Sequence, residues 1–272
     1  MLADDAIASR GESYMRKFVM QAIAAMVILL GVAATPAMAQ ATRTWVSGVG
    51  DDANPCSRTA PCKTLAGAIS KTASGGEINI LDPAGVGAVT ITKPITIRGE
   101  GVTASILVAG TNGINVNLPN PTDRVVLQDI EIEGLNQISL PGLTGINMIS
   151  PGILVLEDVS IRGFTTGIVI NTAGTAELTI NNSRIIGSTT YALSISNVAG
   201  RSRAWITDSL IANSGLNHIY INGSTNLLTL GTTTFTGRGS TFLLENGGRV
   251  NSYGNNMFND PPASGLTVIP LH

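Results

Sequence analysis

LEDVSIRG, residues 156–163, is an apolar anchor, a pair of turn-forming residues, two apolar residues in alternation and a closing glycine. The arrangement recurs in LQDIEIEG (127–134), INNSRIIG (180–187), ITDSLIAN (206–213) and LGTTTFTG (230–237), and ITKPITIRG (91–99) reads as an earlier copy. A second column follows each: GINV (113–116), GINMI (145–149), GIVI (167–170), YALSI (191–195), HIYI (218–221) and TFLLE (241–245). The anchors Leu127, Leu156, Ile180, Ile206 and Leu230 step along the chain by roughly two dozen positions at a time, and repetition at such a period is the signature of a solenoid. The units alternate with period two and are rich in Val, Ile and Thr, so they are strands. One repeat holds three short strands and three turns, with no room for a helix of three turns. That is one rung of a parallel β-helix, with rungs about 4.8 Å apart and inward side chains stacked into a continuous core. The expected inward set is Leu154, Leu156, Val159, Ile161, Ile168 and Ile170, then Leu178, Ile180, Ile185, Leu193 and Ile195 in the next rung. Leucine-rich repeats share the period, but their L-x-x-L-x-L-x-x-N pattern is absent.

Composition agrees with strands and tight turns. Glycine is abundant (31 residues), aromatics make up 4% and charged residues only 12%. Disorder requires the opposite balance, low hydrophobicity with high charge.

Residues 1–39 read as an address. Met15-Arg16-Lys17 opens a basic region, an apolar stretch runs from Phe18 to about Ala34, and Pro36-Ala37-Met38-Ala39 supplies an A-x-A cleavage site before Gln40. This is the pattern of a secretory signal peptide, with Met15 the expected true start, and the alternative is a membrane anchor. Cleavage leaves no stable membrane span and places the protein outside the cytoplasm, secreted or periplasmic. There the two cysteines, Cys56 and Cys62 in NPCSRTAPCK, are expected to form a disulfide closing a small loop. A metal would need more ligands, and His218 and His272 are distant in sequence; redox chemistry favours C-x-x-C. After cleavage 13 basic and 15 acidic residues remain, and Arg201-Ser-Arg203 is the densest basic cluster. Such a balance argues against electrostatic binding of nucleic acid.

Residues 40–82 read as an amino-terminal cap. They hold a strand (44–47), a loop, one short helix N-capped by Thr64, and another strand. Leu65, Ala68, Ile69 and Ala73 mark one helix face, and Gly75-Gly76 is the expected stop. The segment resembles the amino-terminal region of secreted bacterial right-handed parallel β-helix proteins of the pectin-lyase-like superfamily, in particular short members with two cysteines. The resemblance rests on Val46, Ser47, Gly50, Asp52, Asn54, Pro55, Pro61, Lys63, Thr64, Leu65, Ala68, Ile69, Gly76, Ile78 and Ile80. It implies an all-β, single-stranded right-handed parallel β-helix with a short capping helix, a hand that also follows the rule for parallel crossovers. The family includes polysaccharide lyases and hydrolases alongside members without known activity, so it implies fold more than chemistry. Residues 83–260 form the rungs, with longer turns at NLPNPTDR (117–124) and GLNQISLPGLTG (134–145), and residues 261–272 form a carboxy-terminal cap.

Within the repeat, Asp129, Asp158, Asn182 and Asp208 occupy one turn position. Asp and Asn favour turns and tolerate left-handed backbone, so a structural ladder is one reading. The other is a calcium site begun by Asp129 and Asp158, with Glu131 or Glu157 nearby, since calcium takes about six to eight oxygens. No other cofactor is evident. Two outward columns are expected, Arg98, Glu133, Arg162 and Thr96, Glu131, Ser160, Arg184, as salt-bridged register marks. The catalytic alternative is a lyase acting on uronate-containing glycans, with Arg162 or Arg184 beside Glu131, Asp158 and calcium. For a hydrolase, Glu131 would pair with Asp158 or Glu133. Later rungs are neutral, showing Thr179, Asn181, Ser194, Ser196, Thr229, Thr232, Thr233 and Thr234. Trp205 and Tyr220 are candidates for stacking on sugar rings, with Trp205 pointing outward. The leading expectation is a non-catalytic extracytoplasmic protein that contacts polysaccharide or the cell envelope.

Overall fold

The computed structural model describes residues 16, 18–23, 40–99, 101, 104–135, 141–197, 199–260 and 265–270. The chain divides into two compact units, Met1–Ala39 and Gln40–His272. In the first, residues 16 and 18–23 are helical, and most of the expected signal peptide, including Met15 and the cleavage site, lies outside the described residues. No helix among the described residues is long and apolar enough to cross a membrane.

The second unit is an all-β parallel β-solenoid of about six turns. Its described strands form three sheets of ten, seven and seven strands, and every pairing between these strands is parallel. One rung illustrates the rest: Gly152–Glu157 lies in sheet one, Ser160–Arg162 in sheet two and Phe164–Ile170 in sheet three. Alternation sends every second side chain inward. Ile78, Ile97, Leu127, Leu156, Ile180, Ile206 and Leu230 therefore stack in one column, each fully buried. All eleven inward residues expected from the repeat are at most 2% exposed. Burying each of these aliphatic side chains is worth about 1.5–3 kcal/mol.

The first rung departs from the sequence alignment. Ile95–Gly99 belongs to sheet one, where Arg98 pairs with Gln128 and Thr96 with Val126. The strand that precedes Ile130–Gly134 in sheet two is Ala104–Val108, which places Ser105 before Glu131 and Leu107 before Glu133. Arg98 and Thr96 are therefore not in the columns of Glu133 and Glu131. The apolar-x-apolar motif occurs on all three sheets, and ITIRG matches a strand of the wrong one.

The amino-terminal end is closed by the helix Leu65–Lys71. Thr64 Oγ1 accepts from the Gly67 N–H at 3.0 Å and N-caps it. Asp52 holds that cap by accepting the N–H groups of Lys63 and Thr64, both at 2.9 Å, and the Thr64 hydroxyl at 2.7 Å. Partial burial works against the Asp52 charge, but these bonds and the Lys71 charge hold its carboxyl below the usual range. Lys71 Nζ in turn donates to the Asn54 carbonyl at 2.5 Å. Cys56 and Cys62 are disulfide-bonded and fully buried beneath this loop. The helix ends at Lys71, with Thr72 as C-cap, earlier than Gly75-Gly76 suggests. Thr72 Oγ1 donates to the Ala68 carbonyl while its own backbone turns extended, so Ala73, Gly75 and Gly76 belong to the strand Thr72–Ile80.

The carboxy-terminal end is built differently. Phe235, Phe242 and Phe258 form a cluster with ring centres 5.3–5.8 Å apart. Leu266–Val268 continues sheet one beside Arg249–Ser252, and Val268 is 66% exposed. This segment extends the stack as its last strand and does not fold across it.

Candidate functional site

The turn from sheet one to sheet two is the most regular surface feature. Asp129, Asp158, Asn182, Asp208 and Thr232 occupy it in successive rungs, each with a positive φ between 45 and 55°. Asp and Asn tolerate this left-handed backbone better than other non-glycine residues, whereas the β-branched Thr232 adopts it against its own preference. Each of the first four donates its N–H to a carbonyl of the next rung, at 3.1–3.3 Å. The following residue turns inward, and in three rungs it is a buried hydroxyl: Ser183, Ser209 and Thr233. Ser183 Oγ accepts from the Val159 N–H at 3.0 Å and donates to the Asn181 carbonyl at 2.7 Å. Ser209 Oγ repeats the pattern with the Ser183 N–H and the Thr207 carbonyl. Thr233, expected among the neutral residues of the later strand faces, instead takes the inward position that Val159 holds in its rung, two residues before the buried Phe235; its hydroxyl bonds the Gly231 carbonyl at 3.0 Å.

Two shallow hollows lie on the solvent side of this ladder. One of about 250 Å³ is lined by Asp158, Val159, Ser160, Asn182 and Arg184. The other, about 450 Å³, is lined by Asn182, Ser183, Arg184, Asp208, Ser209, Leu210, Thr232 and Thr234. They share Asn182, Arg184 and the ladder itself, and so make one polar trough across successive rungs. Asn182 Nδ2 donates to Asp158 Oδ1, which fixes two side chains of its wall.

The four catalytic candidates fall into two groups. Arg162 and Glu131 form an ion pair at 2.6 Å, and Arg162 Nε reaches Glu133 at 3.5 Å, on the face of sheet two. Asp158 and Arg184 line the trough. Glu131 and Arg184 share a column but stand two rungs apart, with Ser160 between them. The geometry thus brings Asp158 to Arg184 and Glu131 to Arg162, but not all four together. The calcium candidates Asp129 and Asp158 stand on adjacent rungs of the ladder; among the described residues no group of three or more His, Cys, Asp or Glu gathers to hold a metal.

Trp205 and Tyr220 are on different sheets. Trp205 lies on the outer face of sheet one between Thr179 and Thr229. Tyr220 lies on sheet three, stacked on Tyr191 with ring centres 5.0 Å apart, and its hydroxyl donates to Glu245 Oε2 at 2.9 Å. Burial, with the hydrogen bond and charge of Glu245, pushes this phenol up.

A second groove has no counterpart among the sequence expectations. It lies over the first rungs, has a volume of about 510 Å³, and is lined by Arg43, Glu77, Asn79, Arg98, Gly99, Gly101 and Asp129. Arg43 pairs with Glu77 at 3.2 Å. Asn79 is only 3% exposed, and its Nδ2 has no acceptor among the described residues. An unmet buried donor costs about 1–3 kcal/mol. The one available signal is an Asn at an outward position in INIL (78–81), and an outward Asn normally needs no explanation. Comparisons with models of protein families, with curated proteins and with solved structures find no match, so the chemistry of both grooves is read from their own geometry.

Proposed function

We propose that the protein is a non-catalytic extracytoplasmic binding protein that holds an extended polysaccharide along the turn ladder. The observation that carries this reading is the continuous polar trough of Asp158, Asn182, Arg184, Asp208, Thr232 and Thr234. Its donors and acceptors repeat at the rung spacing of about 4.8 Å, comparable with one sugar unit of an extended chain. Carboxylate, amide, guanidinium and hydroxyl groups together match sugar hydroxyls in both donor and acceptor roles. The openness of the trough suits a polymer passing through rather than an enclosed small molecule. Export is supported by the buried disulfide and by the apolar, A-x-A-terminated leader. The likeness of the cap to the pectin-lyase-like superfamily supports a right-handed coil and a glycan partner.

The lyase alternative needs a cation and a base converging on one sugar, whereas Arg162 is already engaged by two glutamates on an open face. The test is calorimetric titration with neutral and acidic polysaccharides, with and without calcium, while monitoring ultraviolet absorbance of unsaturated sugar products. Saturable binding without new absorbance, weakened in Asp158→Ala and Arg184→Ala but retained in Arg162→Ala, is expected. A calcium-dependent absorbance signal lost in Arg184→Ala would replace binding with lyase activity, and no binding to any polymer would end the reading.

A further inference from the structure

We propose that the groove over the first rungs is an oxyanion-binding site, distinct from the trough and independent of the polysaccharide reading. Trp45, Asn79 and Arg98 are consecutive residues of one outward column on sheet one. The indole N–H, the amide NH₂ and the guanidinium are all donors. Among the described residues, Trp45 Nε1 and Asn79 Nδ2 are buried without an acceptor, and Arg98 makes no ion pair. Farther along the same column the polar side chains satisfy one another. Gln128 donates to Glu157, and Thr207 donates to Asn181 at 2.9 Å. Among the described residues of this column, the buried donors without an acceptor are Trp45 Nε1 and Asn79 Nδ2, and Asn79 lines the groove beside the exposed Arg98.

The lining sets the chemistry of the ligand. Glu77 is occupied by Arg43, which leaves Arg98 as the cation facing the buried amide. Asp129 also lines the groove and is an acceptor, so the favoured ligand presents oxyanion atoms to Arg98 and Asn79 and a hydroxyl to Asp129. Gly99 and Gly101 add no side chain to the wall and leave room for a tetrahedral group. Charge-assisted bonds from a guanidinium to a sulfate or phosphate oxygen are the strong ones, and the column spacing lets one anion meet two neighbouring donors. The anion is either a free inorganic ion or the acidic group of a hydroxylated molecule.

The experiment is a titration of ¹⁵N-labelled protein with sodium sulfate and with sodium phosphate, at ionic strength held constant with chloride. It follows the Trp45 indole, Asn79 amide and Arg98 Nε signals, with the Trp205 indole as internal reference. Saturable shifts at the first three and none at Trp205 are expected. Arg98→Gln, a change at an exposed side chain, should weaken the binding about tenfold or more, with partial recovery in Arg98→Lys. Asn79→Leu should also weaken it; because Asn79 is buried, the decisive variant is Arg98→Gln, in a protein whose other signals are unchanged. A sulfated or phosphorylated monosaccharide binding more tightly than the inorganic ion would assign the site to a larger ligand, and equal affinity would assign it to the free ion. Lack of saturation by both anions, or saturation unaffected by Arg98→Gln, would overturn the proposal.

Discussion

The rungs before residue 171 and those after it follow one repeat but fill their interior differently. At the residue that precedes the paired column Ile114, Ile146 and Ile168 of sheet three, the early rungs use Gly113, Gly145 and Gly167. A Cβ at these positions would lie 2.5–2.7 Å from a carbonyl oxygen of the next rung. The corresponding residues of the later rungs are Ala192, His218 and Thr241, all buried. The early rungs also carry the paired charges Arg162, Glu131 and Glu133 outside, whereas the later ones collect Phe235, Phe242 and Phe258 inside. A backbone repeat therefore does not impose a uniform interior. Close backbone approach and aliphatic stacking hold one half, and aromatic packing with a buried imidazole holds the other.

Four experiments probe that contrast. Phe235→Ala removes the 1%-exposed centre of the aromatic cluster and should lower stability by about 3–5 kcal/mol, read from the urea midpoint. An effect below about 1 kcal/mol would show that the later rungs do not depend on their aromatics. Gly167→Ala forces a methyl group toward the Ala192 carbonyl and should cost about 1–3 kcal/mol, while Ala192→Gly one rung on should cost less. Equal effects would remove the distinction between the halves.

His218 gives the later rungs a dependence on mildly acidic pH. Its ring is 1% exposed, bonds Ser214 Oγ at 3.1 Å and lies 6.0 Å from Phe235. Burial pushes its pKa below the ordinary 6.5, with the Asp260 charge pulling weakly the other way. The unfolded chain then takes up a proton at a pH where the folded one does not. Stability from this residue is whole above about pH 6.5 and falls as the pH drops through the window between the two values. Thermal melts from pH 7.5 to 5 should show that slope in the parent and lose most of it in His218→Asn. Smallest of all, Arg162→Ala breaks two surface ion pairs, one of them to the half-buried Glu131, and should change stability by about 1 kcal/mol or less, with the loss diminishing in high salt.

Much of the architecture is legible in the sequence because apolar alternation and a fixed period are local signals. Leu156, Ile161 and Ile170 can be placed inward without any knowledge of their partners, and Asp158 and Asn182 placed in turns from their chemistry alone. The register of the first rung is less legible, since ITIRG fits any of the three sheets and only pairing to Gln128 assigns Arg98 to sheet one. The helix stop is misplaced by its glycines because a side-chain bond from Thr72 to Ala68 ends the helix before them. The donor column of Trp45, Asn79 and Arg98 draws on three separate stretches of sequence and exists only after three strands stack. Nothing in any one segment marks it.

The turn ladder has a further consequence. Successive rungs are bonded through the same left-handed corner, so the molecule is assembled from modules of roughly two dozen positions that share one way of joining. An in-frame tandem duplication of one module would present the same corner to both sides and lengthen the stack by about 4.8 Å. Unequal recombination within the coding sequence thus offers a route to graded reach, in which the span of the trough is set by copy number while each corner keeps its geometry.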